Sequence, residues 1–177
     1  FPYECGPTEP ATLNPMFKGY RYHYTGLHHD KNGFPTEEIE TCRKLIQRLE
    51  DKVMAHQDEL ELNEEFMLDD FTGAEDEVLI IAYGSVSLAA KEAIRDLRKD
   101  GIKAGLFRPI TLWPSPAKRI KELTDKTKNV LVVELNIRQY TDEIERASGR
   151  LDIEGLYKVN GRAIAPHEII AKVKEVF

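Results

Sequence analysis

The feature that most constrains the fold is an alternation that begins at Glu77. Val78-Leu79-Ile80-Ile81-Ala82-Tyr83 is an unbroken apolar run, the pattern of a strand buried on both faces. A helical segment follows from Ser87 to Asp100, with Ala90, Ala93, Ile94 and Leu97 on one side and Gly101 as its stop. The pattern then recurs. Lys103–Ile110, Asn129–Leu135 and Gly155–Val159 read as further strands. Ser115 and Pro116 open one intervening helix, with Ile120 and Leu123 inward, and Arg138–Ala147 forms another. Pro166 starts a last helix whose Ile169, Ile170, Val173 and Val176 face inward. Strands separated by helices require crossover connections. Residues 74–177 are therefore expected to form a three-layer α/β/α domain on a mostly parallel sheet, with right-handed crossovers.

Residues 1–73 follow different rules. Pro2, Pro7, Pro10 and Pro15, with Gly6 and Gly19, exclude a helix and predict an extended arm. Tyr20-Arg21-Tyr22-His23-Tyr24 alternates aromatic and basic side chains, the period of a short strand, and Asn32-Gly33 predicts a turn. Thr36 is the candidate N-cap of a helix of about seven turns. Its stripe is Ile39, Cys42, Ile46, Leu49, Val53, His56 and Leu60. A helix that long is expected to reach a neighbouring domain or subunit. Charge divides the chain at the same place: residues 1–73 carry 7 Lys/Arg and 15 Asp/Glu, net −8, and residues 74–177 carry 18 and 16, net +2. The expected organisation is thus 1–73 as linker, strand and acidic helix, and 74–177 as the compact domain.

Composition removes several classes. An acidic first part without clustered Lys and Arg excludes a nucleic-acid arm. No apolar run approaches the roughly 20 residues of a membrane helix, and the start lacks the basic and apolar regions of a signal peptide. The chain begins on Phe1 and not on Met, so it reads as a piece of a longer polypeptide. Its two cysteines, Cys5 and Cys42, lack the spacing of a zinc or iron–sulfur site and fit a reduced, cytoplasmic setting.

Chemistry motifs are few. Gly84-Ser85 stands where the first strand meets its helix, the place where open α/β sheets bind ligands and where free N–H groups favour anions. It matches neither a dinucleotide fingerprint nor a phosphate-binding P-loop, and it lacks the second glycine of a G-x-S-x-G elbow, so a plain tight turn is the simpler reading. A free-standing small-anion-binding module using Gly84 and Ser85 is the alternative function. A hydrolase would need Ser85 or Ser87 aligned with His167. His28-His29-Asp30, with His23 nearby, has metal-ligand residue types, but adjacent histidines on a strand point to opposite faces, which favours a solvated or interface loop. Glu134, Glu143 and Glu145 lack a nucleophile partner, and Glu134 is expected to cap the following helix. Lys118, Arg119, Lys121, Lys126 and Lys128 read as a solvated helix face. No catalytic, cofactor-binding or metal-binding set emerges.

Three strings carry a resemblance: Ala82-Tyr83-Gly84-Ser85-Val86, Gly105-Leu106-Phe107-Arg108-Pro109-Ile110-Thr111-Leu112-Trp113-Pro114, and Val132-Val133-Glu134-Leu135-Asn136 with Gln139. Together they resemble the C-terminal domain of the alpha subunit of 2-oxoacid:ferredoxin oxidoreductases, of the 2-oxoglutarate (KorA) type. Thr25-Gly26-Leu27-His28-His29-Asp30 with Gly33 resembles the segment that enters this domain, with His28 where many members have Glu. The resemblance implies a fold similar to the transketolase C-terminal domain, a five-stranded mixed sheet whose antiparallel member is Tyr20–Tyr24. It implies an enzyme that oxidatively decarboxylates a 2-oxoacid to acyl-CoA. Thiamine diphosphate, Mg and iron–sulfur clusters belong to the full complex and none to this fragment. The implied partners are a beta subunit, other subunits and ferredoxin, with a homodimer also open, and no nucleic acid or membrane. This domain then has an assembly role and no activity alone. Phe107, Trp113 and the Arg108-Pro109 turn are its candidate contacts, since aromatic and Arg residues are enriched at interfaces. Burial of Phe107 and Trp113 in the core is the competing reading.

Overall fold

The computed structural model describes residues 1–21 and 23–177, which form two compact units, Phe1–Leu60 and Glu61–Phe177. In the first unit, β1 (His28–His29) pairs antiparallel with β2 (Pro35–Thr36). Asp30 builds the turn between them: its Oδ1 accepts from the N–H groups of Asn32 (2.9 Å) and Phe34 (3.0 Å). Gly33 sits there at φ +88°, a conformation a residue with a Cβ enters only at a cost. Helix α1 (Ile39–Ala55) follows, then a one-turn α2 (Gln57–Leu60).

Two expectations change here. The N-cap of α1 is Glu38, whose carboxylate accepts from the Glu40 and Thr41 N–H groups, because Thr36 belongs to β2 and its hydroxyl accepts from the Glu38 N–H instead. The helix is also not continuous through Leu60: it closes at His56, where the backbone leaves helical geometry. Cys42 and Val53 of its apolar stripe are part-buried, and among the described residues α1 has no fully buried side chain.

The second unit starts with β3 (Asn63–Phe66) and continues through β4 (Val78–Ala82), α3 (Val86–Lys99), β5 (Ala104–Pro109), α4 (Ala117–Lys126), β6 (Asn129–Glu134), α5 (Gln139–Ser148), β7 (Glu154–Tyr157) and α6 (Pro166–Val176). The sheet has five strands in the order β3-β5-β4-β6-β7. All neighbours are parallel except β3, which runs antiparallel to β5 with Glu64 opposite Arg108 and Phe66 opposite Leu106. The three-layer, mostly parallel architecture is as the alternation predicts.

The continuous apolar runs divide by parity, as a two-residue period requires. Val78, Ile80 and Ala82 of β4 join Leu106, Leu131 and Val133 in one core, with Ala90, Ile94 and Leu97 of α3 and Ile169 and Val173 of α6. Leu79 and Ile81 join Phe107, Val130 and Val132 in the other, under Ile120 and Leu123 of α4 and Ile144 of α5. In register, Ile80 faces Leu106 on one side and Leu131 on the other.

The antiparallel member is therefore β3 and not the Tyr20–Tyr24 segment. Tyr20, Arg21, His23 and Tyr24 adopt no strand, and Tyr22 lies outside the described residues. The reason is electrostatic. Asn63-Glu64-Glu65-Phe66 shows no apolar alternation, but its carboxylates meet cations: Glu64 pairs with Lys91 and with Arg108 (3.0 Å), and Glu65 with Arg119 (2.6 Å). A short, charged strand is a stable edge that resists adding another strand. Because β3 belongs to the sheet, the compact unit begins at Glu61 and not at residue 74.

Candidate functional site

Strand β4 is followed by β5 on one side and, after a crossover, by β6 on its other side. The carboxyl ends of β4 and β6 therefore form the topological switch point where open α/β sheets present ligand sites. The sequence places Tyr83-Gly84-Ser85 at one end and Leu135-Asn136 at the other.

Gly84 has φ +58°, and a Cβ built on it would meet no atom within 4 Å. Conformation and not crowding thus accounts for the glycine. Ser85 is the N-cap of α3, yet its side chain makes no capping hydrogen bond. Ser87 is buried and its hydroxyl donates to the Gly84 carbonyl (2.7 Å), which leaves it no role as a nucleophile paired with His167 on α6. The geometry is that of a tight strand-to-helix turn.

Beside it, Glu134 is fully buried at the end of β6. One carboxylate oxygen accepts from the Tyr140 N–H (2.9 Å), the other from the Thr141 N–H (3.0 Å) and the Thr141 hydroxyl (2.7 Å). A negative group at these N–H donors satisfies the first turn of α5 and complements its dipole, the capping role expected for it. Tyr83 donates to the same carboxylate (3.4 Å) and accepts from Asn136 (2.5 Å). Burial, then the Glu134 charge, push the Tyr83 phenol above its ordinary pKa, so it stays protonated at neutral pH. Tyr140 packs edge-on against Tyr83 at 5.0 Å, and its buried hydroxyl has no hydrogen-bond partner among the described residues. This network holds two loops in place.

The candidate interface residues separate. Phe107 is fully buried in the sheet and Pro109 is buried beside it, and both lie in β5, so the Arg108-Pro109 pair is a strand end and not a turn. Arg108 is half-buried and bound to Glu64. The physical reason is register: Phe107 lies between Ile81 and Glu65, where its ring fills the core under α4. Trp113 is different, 65% exposed on the loop after β5. Ile110 and Leu112 are exposed on that same loop, Leu135 and Ile137 (76%) on the loop after β6, and Leu88 on the first turn of α3. All of these follow the carboxyl ends of parallel strands, so one edge of the sheet carries an apolar rim. Sequence reasoning missed Ile110, Leu135 and Ile137. The available signal was large apolar residues just past a strand and before a helix, where no layer covers them.

Among the described residues, no group of three or more His, Cys, Asp or Glu could hold a metal ion, and no helix is long and apolar enough to cross a membrane. His28 and His29 form β1, and His29 stacks on Tyr3 at 6.0 Å.

With this geometry in hand, known proteins give a consistent answer. The model of the pyruvate:ferredoxin oxidoreductase core domain II family matches residues 76–169. The 2-oxoglutarate synthase subunit KorA of Methanothermobacter marburgensis is 35% identical over 157 residues, which is 88% of this chain and 40% of the relative. The chain thus spans well under half the length of that curated relative. Among solved structures, the 2-oxoglutarate:ferredoxin oxidoreductase from Magnetococcus marinus, with 2-oxoglutarate, coenzyme A and succinyl-CoA bound, superposes with a TM-score of 0.74 at 24% identity, covering 98% of this chain and 30% of that one. A split-gene transketolase, described as an inactive beta4 tetramer, shares the fold at a TM-score of 0.50 and 19% identity, over 63% of this chain and 41% of its own. The apolar-run alternation, the antiparallel edge and the matched core agree, and the chain belongs to the pyruvate:ferredoxin oxidoreductase core domain II family.

Proposed function

We propose that the chain is the C-terminal domain of the alpha subunit of a cytoplasmic 2-oxoacid:ferredoxin oxidoreductase whose substrate is 2-oxoglutarate. The observation that carries this reading is the 35% identity to the KorA subunit across 88% of the chain. In the intact enzyme the reaction is oxidative decarboxylation of the 2-oxoacid to its acyl-CoA, with two electrons delivered to ferredoxin. Thiamine diphosphate, Mg and iron–sulfur clusters serve that chemistry from other parts of the complex. The residues of this chain do not fit those groups: two cysteines cannot supply the four thiolates of a cluster, and Glu134 is consumed as a helix cap.

The role of this domain is assembly with the beta subunit. The apolar rim of Trp113, Ile110, Leu112, Leu135 and Ile137 supports this, because exposed large apolar and aromatic side chains gathered past one edge of a sheet are the residue types of an interface core. Gly84 and Ser85 lie beside that rim as a rigid turn, which favours assembly over the small-anion module.

The test uses the intact alpha subunit, assembled with its partner subunits, in CoA-dependent reduction of a viologen dye. The highest kcat/KM is expected with 2-oxoglutarate, ahead of pyruvate and of a branched-chain 2-oxoacid. A preference for either competitor refutes the substrate assignment. In the same complex Trp113→Ala is expected to raise the dissociation constant between subunits by about tenfold or more, as for an aromatic anchor. Unchanged assembly refutes the rim as interface.

A further inference from the structure

The first unit contains a cavity that the oxidoreductase reading does not use. Its volume is about 580 Å³, within the range of small-molecule sites. Five rings line it, those of Tyr3, His23, Tyr24, His29 and Phe34, together with the guanidinium-bearing Arg21. Asp and Glu account for ten of residues 1–60, yet among the described residues no carboxylate lines the cavity. Asp30, the nearest acid in sequence, is turned away into the backbone, where it accepts from Asn32 and Phe34.

Four of the five rings pack on one another in pairs, and Tyr24 stands 96% exposed at the edge. His29 lies nearly parallel to Tyr3 and shares a hydrogen bond with the Thr25 hydroxyl (3.2 Å). His23 tilts against Phe34 at 4.9 Å. Gly33 is buried under Tyr3: a Cβ there would stand 3.1 Å from the Tyr3 ring, so glycine lets the turn approach it. Phe34 nevertheless stays 54% exposed. Among the described residues, the lining thus joins these rings to apolar Leu13 and Met16 and polar Asn14 and Asn32, its one formal charge is that of Arg21, and apolar area remains open to a guest.

The geometry points to a binding site for a mononucleotide, its base stacked among the rings and its phosphate paired with Arg21. A planar heteroaromatic ring gains from stacking on side-chain rings, and a bidentate guanidinium suits a phosphate. A single-ring aromatic acid would fill a small part of a cavity of this size. A bare anion would leave the rings unused.

The experiment titrates AMP, adenosine and inorganic phosphate separately into the 177-residue chain and follows the aromatic proton resonances. AMP is expected to bind saturably, at least about tenfold tighter than either adenosine or phosphate. The perturbed resonances should be those of Tyr3, His23, His29 and Phe34. Arg21→Gln should remove the preference for AMP over adenosine, and Phe34→Leu should weaken both by about threefold or more. Both side chains are exposed, and unchanged circular dichroism checks that the variants keep their fold. No saturation by about 10 mM AMP, phosphate binding as tight as AMP, shifts confined to Tyr83 beside the Gly84 turn, or full AMP affinity in Arg21→Gln would each overturn the proposal.

Discussion

The two units of this chain solve opposite problems with similar residues. Every large apolar side chain buried among the described residues belongs to Glu61–Phe177, where two cores sandwich the sheet. In Phe1–Leu60 the apolar residues are as regular in sequence but stay open: Ile39 is 83% exposed, and Ile46, Leu49 and Met54 are each about half exposed. Periodicity therefore predicts which face of a helix is apolar. It does not predict whether that face is covered within the same chain. Burial of apolar area is the dominant favourable term in folding. The second unit has that term within itself, and the first owes its structure to turn hydrogen bonds, ring contacts and helix capping.

The largest expected effect compares two aromatic residues six positions apart. Phe107→Ala empties a fully buried position in the sheet and is expected to cost about 3–5 kcal/mol of stability. Trp113→Ala removes an exposed ring from the same unit and should change its stability by less than about 0.5 kcal/mol. Chemical denaturation of the 177-residue chain, followed through far-UV circular dichroism, measures both. Equal losses would mean that the rim is a core feature.

A smaller effect concerns the buried carboxylate at the other end of β4. Glu77 has no exposure and accepts from the Thr72 N–H (2.7 Å), the Gly73 N–H (2.8 Å) and Lys103 (2.8 Å). Burial opposes its ionisation, but Lys103 and the backbone donors outweigh burial and hold its pKa at about 2, against 4.5 unperturbed. A depressed folded-state pKa stabilises the fold above the unfolded value. That contribution is whole above about pH 4.5 and fades as pH falls toward 2. Glu77→Gln should cost about 2 kcal/mol at pH 7, and the stability it retains should depend less on pH between 5 and 2. Denaturation midpoints collected across that range decide it. A variant as acid-sensitive as the wild type would show that other carboxylates set the acid limb.

Much of the second unit was legible because its signals are redundant. Apolar runs, helix stops and the strand-end Glu134 all specify one layered fold, and every core position named on α3, α4 and α6 is buried except Ile170, which packs half-buried against the core, and Val176, which is half-buried. What was not legible depends on distant partners. Strand β3 is held by Lys91, Arg108 and Arg119, which lie 27 to 54 residues away, so no local pattern announces it. Phe107 reads from sequence equally as an interface anchor beside Arg108 or as a core residue, and only its register with Ile81 puts it inside. Gly84 and Ser85 were placed correctly at a strand end, but the network joining Tyr83 to Glu134 and Asn136 spans 51 to 53 residues and needs the sheet order to form.

The smallest effect sharpens the comparison most. On α1, Ile39 and Ile46 occupy the positions that periodicity assigns to a core, and neither is buried. Replacing both by Ala removes two β-branched residues from a helix and deletes little buried area. Helix propensity then favours the variant slightly while lost partial contacts oppose it. The net change in the isolated chain is expected within about 0.5 kcal/mol, measured by the same denaturation. The same double substitution in the assembled subunit should behave as a core truncation, costing about 2 kcal/mol or more if the stripe is covered there. Amide exchange reads the difference directly: α1 amides should exchange far faster than those of β4 in the isolated chain and gain protection on assembly. A large loss in the isolated chain would mean the stripe is already covered within it, and the contrast between the two units would fail. No loss in either form would leave α1 a solvated arm whose periodicity serves the helix alone.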